Sequence, residues 1–194
     1  MTKSIDFYFD FISPYSYLAH KKIRNIKEEK NIKFNYKPVL VGGLHKLQGI
    51  TAPAFIKPKL KNMINDCRLI AKKNKFDFIW NSNFPINSLN SMRGYLFISN
   101  KLKDLYLDLM FDAYWKHNLD ISNEEILKTI LKKCKINKNI FLKGIKNLKI
   151  KNKLKKTTQK AHDKEVFGAP TFIVNNKIFW GQDRLEFALD EYYK

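Results

Sequence analysis

The sequence predicts an α/β protein whose strand layer, assembled from the two ends of the chain, is interrupted by a large all-helical insertion. Three observations lead there. Residues 4 to 11 alternate in the period-two manner of a strand. A helical pattern and a second apolar run then follow within the first 41 residues. The segment from about 54 to 165 carries almost wholly helical spacing, and the last residues return to strand patterns.

In the first strand Ile5, Phe7, Phe9 and Phe11 alternate against Asp6, Tyr8 and Asp10. Residues 14 to 30 carry Tyr17, Leu18, Ile23 and Ile26 at near-helical spacing, with a charged exit at 27–30. Ser13 before Pro14 is a helix start, because serine is a favoured N-cap and proline at the first helical position gives up no needed hydrogen bond. A second strand is expected over 32–41. Strand, helix and strand in this order predict a right-handed crossover and parallel pairing.

The middle of the chain reads as helices over 59–73, 102–117 and 122–134, with an Asn-, Ser- and Pro-rich loop at 80–88. Ser122 and Glu125 have the spacing of a capping box. The Lys-rich stretch from Lys143 to Lys160 alternates with Leu148, Ile150 and Leu154, so it reads as the solvated face of a helix. Near the end, residues 170–174 and 177–180 flank Asn175-Asn176, a pair suited to a tight hairpin turn. A last helix is expected to start at Gln182 or Asp183, with Glu186 in its first turn. Residues 1–50 and 163–194 thus make one discontinuous unit, and 51–162 the helical insertion.

Composition narrows the function classes. With 194 residues, 44% hydrophobic and 14% aromatic, the chain is rich enough for a packed core. The net charge of +19 points formally to nucleic acid or an acidic surface. All but four of the 37 basic residues are lysine, however, and arginine is the residue suited to bidentate phosphate and base contacts. No alternation of basic and aromatic residues marks a single-strand binding surface, so nucleic acid is not the expected partner. No apolar run approaches a membrane span, and the strand pattern begins too early for a signal peptide, which predicts a cytoplasmic protein. Cys67 and Cys134 form no CxxC motif and read as packed, reduced thiols. The four histidines have no ligand spacing, so no metal or catalytic role is expected of them; His45 differs from the others only in lying in the segment GGLHK.

The segment Ser13-Pro14-Tyr15-Ser16 holds a hydroxyl at a helix N-terminus, where free amides and a partial positive charge favour an anion. The order of elements resembles a thioredoxin fold with a helical insertion. In the redox branch of that fold a CxxC motif occupies this position, and this chain has no sulfur there. Residues 6–19 (DFYFDFISPYSYLA), 38–49 (PVLVGGLHKLQG), 83–88 (NFPINS) and 166–186 (VFGAPTFIVNNKIFWGQDRLE) together resemble the 2-hydroxychromene-2-carboxylate isomerase family, related to kappa-class glutathione transferases.

The resemblance implies a glutathione site. Ser13 would donate to the sulfur as the catalytic residue, with further contacts from Ala169, Pro170, Trp180, Gly181, Gln182 and Asp183. It implies a cis bond before Pro170, main-chain bonds from Ala169 to the cysteinyl part, and Asp183 paired with the γ-glutamyl ammonium. A small aromatic substrate would meet Lys46, Ile50, Thr51 and Phe84. Ile50 and Thr51 stand where many relatives have Asn, and Phe84 stands where they have a substrate-contacting tyrosine. The implied activity is isomerisation of 2-hydroxychromene-2-carboxylate-like compounds in aromatic catabolism, in a homodimer. A kappa-type glutathione transferase, a non-catalytic glutathione binder and a basic surface-binding protein are the alternatives.

Overall fold

A computed structural model describes residues 3–29 and 32–194; the side chains of the charged exit expected at 27–30 lie outside the described residues. Strand β1 (Ile5–Phe9) runs parallel to β2 (Phe34–Pro38), with helix α1 (Pro14–Glu29) as the crossover. On the other side of β1 lies β3 (Thr171–Val174), antiparallel, with Phe7 opposite Phe172. The antiparallel edge strand β4 (Lys177–Trp180) completes the sheet, in the order β2-β1-β3-β4. Asn175 and Asn176 turn the hairpin at φ 50° and 60°, the left-handed angles that a two-residue loop requires.

The second strand is shorter than its apolar run. The Val39 amide makes the last bond to the β1 end, donating to the Phe9 carbonyl. The Leu40 amide then donates to Thr158 Oγ1 and the Val41 amide to the Asp10 carboxylate, so the chain leaves the sheet and enters helix α2 (Val41–Gln48), which was not foreseen.

The helical block comprises α3 (Lys57–Lys73), α4 (Leu89–Phe97), α5 (Lys103–Trp115), α6 (Glu124–Lys133), α7 (Lys138–Lys146) and α8 (Leu148–His162). The capping box expected at Ser122 is not formed. Ser122 donates its hydroxyl to Asp120, and Asn123 caps α6 by accepting from the Glu125 and Ile126 amides. Asn137 and Asn147 cap α7 and α8 in the same way, so part of the abundant asparagine ends helices. Each lysine from Lys143 to Lys160 is exposed, as a solvated face requires, with Leu154 buried beneath; Leu148 departs from the pattern and is itself exposed. Among the described residues no helix is long and apolar enough to cross a membrane.

The last helix, α9 (Leu185–Tyr193), begins later than expected. A 3-10 turn over Gln182–Arg184 precedes it, and neither Gln182 nor Asp183 caps it with its side chain.

Both faces of the sheet are covered. On one, Phe7 stacks on Phe172 at 5.2 Å, Phe9 meets Tyr95 edge-on at 5.3 Å, and Phe11 meets Phe111 at 4.9 Å. A fully buried phenylalanine contributes roughly 1.5–3 kcal/mol, so this aromatic layer is a large part of what joins the helical block to the strands. On the other face Tyr8 packs with Val39, Leu44, Ala161 and Val166. The residues that alternate with the phenylalanines therefore do not all meet water: Tyr8 is 5% exposed and Asp10 1%.

Polar ties fix α1 between strand and block. The His20 imidazole lies between the Tyr36 hydroxyl, 2.8 Å from Nδ1, and Asp108, 2.7 Å from Nε2. A carboxylate only accepts, so Nε2 carries the proton and Nδ1 accepts from Tyr36. Tyr15 donates to Asp66 of α3 at 2.8 Å, and Trp115 Nε1 donates to the Phe11 carbonyl at 2.8 Å.

Candidate active site

Ser13 sits at the mouth of α1. Its amide donates to the Asp10 carbonyl at 3.0 Å, its carbonyl accepts from the Tyr17 amide at 3.2 Å, and its Oγ accepts from the Ser16 amide at 3.1 Å. The expected N-cap is thereby present. The same hydroxyl donates to the Ala169 carbonyl at 2.8 Å, which brings the helix mouth against the segment before β3. Ser16, in the fourth position of the motif, is fully buried and its Oγ has no hydrogen-bond partner among the described residues. Cys67 and Cys134 are free and buried, and burial pushes both thiols up, so neither offers a thiolate.

The Ala169-Pro170 peptide is cis. The Pro170 carbonyl accepts from the Gly181 amide at 3.0 Å, and Thr171 lies opposite Trp180. Trp180 is exposed and its ring lies 4.9 Å from that of Phe167. Only glycine fits beneath that indole: a Cβ on Gly168 would lie 2.6 Å from Trp180 Nε1. Gly181 holds φ 113°, a conformation that favours glycine. Ser13, Ala169, Pro170, Trp180 and Gly181 thus meet at one end of the sheet. Gln182 follows directly, buried, with its Oε1 accepting from Lys22 of α1 at 2.7 Å. Asp183 is exposed, 3.6 Å from Arg184.

The residues expected to meet an aromatic substrate are less concentrated. Lys46, Ile50 and Thr51 are exposed on and just beyond α2, and none hydrogen-bonds to Ser13 or Ala169 among the described residues. Helix α2 is nonetheless anchored at both ends to the site's own segments, by the Val41 amide on Asp10 at 2.9 Å and by Gln48 Nε2 on the Val166 carbonyl at 3.3 Å. Phe84 packs edge-on against Trp80 at 4.9 Å and lies 5.8 Å from Trp115, the tryptophan that holds the Phe11 carbonyl.

Two residues of consequence were missed by sequence reasoning. The first is Asp10, whose carboxylate accepts from the Val41 amide at 2.9 Å and the Ile12 amide at 3.3 Å, and from the Ser88 side chain. Burial pushes its pKa up to about 6, against the pull of those hydrogen bonds. It ties together the turn before Ser13, the start of α2 and the loop that carries Phe84. Its position among the polar partners of the β1 alternation disguised it. The second is Lys22, one lysine among many, which only its contact with Gln182 distinguishes. Among the described residues no cluster of three or more His, Cys, Asp or Glu could hold a metal ion.

Residues 4–193 match the family model described as DSBA-like thioredoxin domain. The chain is 27% identical over 189 residues to 2-hydroxychromene-2-carboxylate isomerase of Sphingobium xenophagum, covering 96% of each. It is 23% identical to glutathione S-transferase kappa 1 of Homo sapiens, over 96% of this chain and 89% of that one. A solved structure of a 2-hydroxychromene-2-carboxylate isomerase superposes with a TM-score of 0.89 at 22% identity, covering 96% of this chain and 92% of the other. The mixed sheet with its helical insertion is the DsbA-like thioredoxin fold.

Proposed function

The chain belongs to the DSBA-like thioredoxin domain family, and from that premise we propose that it is a glutathione-dependent isomerase of small aromatic compounds of the 2-hydroxychromene-2-carboxylate type. The observation that carries this reading is the Ser13 hydroxyl at the N-terminus of a 16-residue helix, beside Ala169 and the cis proline. Where a disulfide exchanger of this fold would hold its own thiol, the chain offers a donor for the thiol of a ligand.

The residues fit a thiol tripeptide. Bound glutathione would supply a thiolate that adds to a conjugated carbon, leaves the former double bond free to rotate, and departs unchanged. Ser13 turns its hydroxyl proton from the Ala169 carbonyl to the sulfur, while the helix end adds its partial charge. Helix N-termini and nearby cations bring thiols from about 8.5 into the range of roughly 3.5–7.5, so no separate base is required. Half-buried Ala169 presents backbone to the cysteinyl unit, Trp180 and Gly181 flank it, and Asp183 faces the ammonium group. Lys46 pairs with the substrate carboxylate and Phe84 gives a stacking surface, while Ile50 and Thr51 border the same end of α2. The reading carries with it a cytoplasmic location, where reduced glutathione is available.

Thermal melting tests glutathione binding: a ligand at a hundred times its Kd stabilises by about 2.7 kcal/mol, and an unmoved melting temperature in millimolar glutathione removes the proposal. Kappa-type transfer is the second reading, supported by the similarity to the human transferase. Free thiol followed during turnover separates the two, since an isomerase leaves its concentration constant and a transferase consumes it.

A further inference from the structure

At the far side of the site from Ser13, four polar side chains converge at the start of the last helix. Lys22 Nζ lies 2.7 Å from Gln182 Oε1, and the charges of Glu186 and Asp183 act on that ammonium. Gln182 is buried, whereas Asp183 and Glu186 stand exposed beside it. A buried glutamine carbonyl and two open carboxylates around one half-buried ammonium form a mixed-charge patch. Such a patch suits a ligand that carries both signs on adjacent atoms, the arrangement of an α-amino acid head group.

Backbone links tie the patch to Ser13, since Gln182 directly follows Gly181. The eight bonds from a glutathione sulfur to its γ-glutamyl α-carboxylate span about 10 Å. The Pro170 carbonyl bond from Gly181 keeps the intervening backbone close to the Ser13 partner Ala169. Two other cations lie near the patch: Lys73, whose charge also acts on the Lys22 ammonium, and Arg184, which is exposed, faces the Asp183 carboxylate and lies over the Phe187 ring.

We propose that Lys22 is a specificity-determining residue that pairs with the γ-glutamyl α-carboxylate, while Asp183 and Glu186 take the α-ammonium, so that the site reads a zwitterion and admits only γ-glutamyl thiols. This rests on the glutathione reading above. Gln182 holds the ammonium in place until the ligand arrives, and a half-buried ammonium already held by an acceptor loses little order on binding.

Calorimetric titration tests it with reduced glutathione and with γ-aminobutyryl-cysteinylglycine, which lacks the α-carboxylate. The wild-type protein is expected to bind the analogue about tenfold to a hundredfold more weakly, the loss of one charge-assisted bond. Lys22→Met should lose the same factor for glutathione and nothing further for the analogue, and Lys22→Arg should restore most of it. If wild type binds both thiols alike, or Lys22→Met weakens both equally, the assignment of Lys22 is overturned while the glutathione site stands. If wild type binds neither, the glutathione reading falls as well. The two thiols on the unmodified protein give a result even if the methionine variant does not fold.

Discussion

The Ser13 hydroxyl donates to the Ala169 carbonyl across 156 residues of chain, at 2.8 Å. That bond is the point where the first helix mouth and the cis-proline segment meet, and it keeps the hydroxyl proton occupied until a better acceptor is present. A thiolate is such an acceptor, since bonds to charged partners are roughly twice as strong as neutral ones.

Ser13→Ala removes both the donor and the N-cap acceptor for Ser16. The cap accounts for about 1 kcal/mol of stability. The bound thiol should in addition rise by about one to two pKa units, corresponding to about 1.5–3 kcal/mol of a lost charge-assisted bond. Thiolate absorbance of the glutathione complex against pH measures this, and an unshifted titration argues against contact between Ser13 and sulfur.

Asp10 is held about two units above its ordinary value of 3.8, at about 6, by burial. A raised carboxyl contributes stability that is complete below the unfolded pKa and disappears as pH rises through the folded one. Between pH 4 and pH 6.5, wild type should therefore lose about 2 kcal/mol relative to Asp10→Asn. Urea unfolding of both proteins over that range measures it; parallel curves would refute it.

His20 gives the opposite slope. Burial lowers its pKa, with Asp108 pulling the other way, so the folded protein holds the imidazole neutral. The unfolded chain takes up the proton first, and the stability from this group is complete above about 6.5 and is lost as pH falls. His20→Gln should be less stable at pH 7.5 yet show a flatter decline below pH 6.5. An NMR titration that found His20 protonated at pH 7 in the folded protein would contradict this sign.

Gly168→Ala places a methyl group 2.6 Å from Trp180 Nε1, and the indole must move. The fold should persist, because the exposed ring is free to shift, while its packing on Phe167 is lost. Tryptophan emission and acrylamide quenching should change, and affinity for glutathione should fall several-fold. An unaltered spectrum would mean that the ring does not rest against Gly168.

Much of the fold was legible because it depends on local rules. The period-two phenylalanines, the Ser-Pro helix start and the Asn-Asn hairpin each state their conformation within a few residues. Where the sequence misled, a competing partner from elsewhere decided. Val41 ends a plausible strand because Asp10 takes its amide, and Gln182 fails to cap the last helix because its side chain is turned to Lys22. Ser122 gave way to Asn123, since Asp120 holds the Ser122 hydroxyl.

Residue order alone therefore determined most of the elements that form, that the segment Ser13-Pro14-Tyr15-Ser16 holds no sulfur, and that Cys67 and Cys134 form no CxxC. Tertiary structure alone decided that Ser13 faces Ala169, that Asp10 is buried against the start of α2 and Ser88, and that Lys22 meets Gln182. The physical reason is range. Backbone periodicity and capping act over three or four residues, whereas desolvation and cross-chain hydrogen bonds depend on which distant segments the sheet brings together.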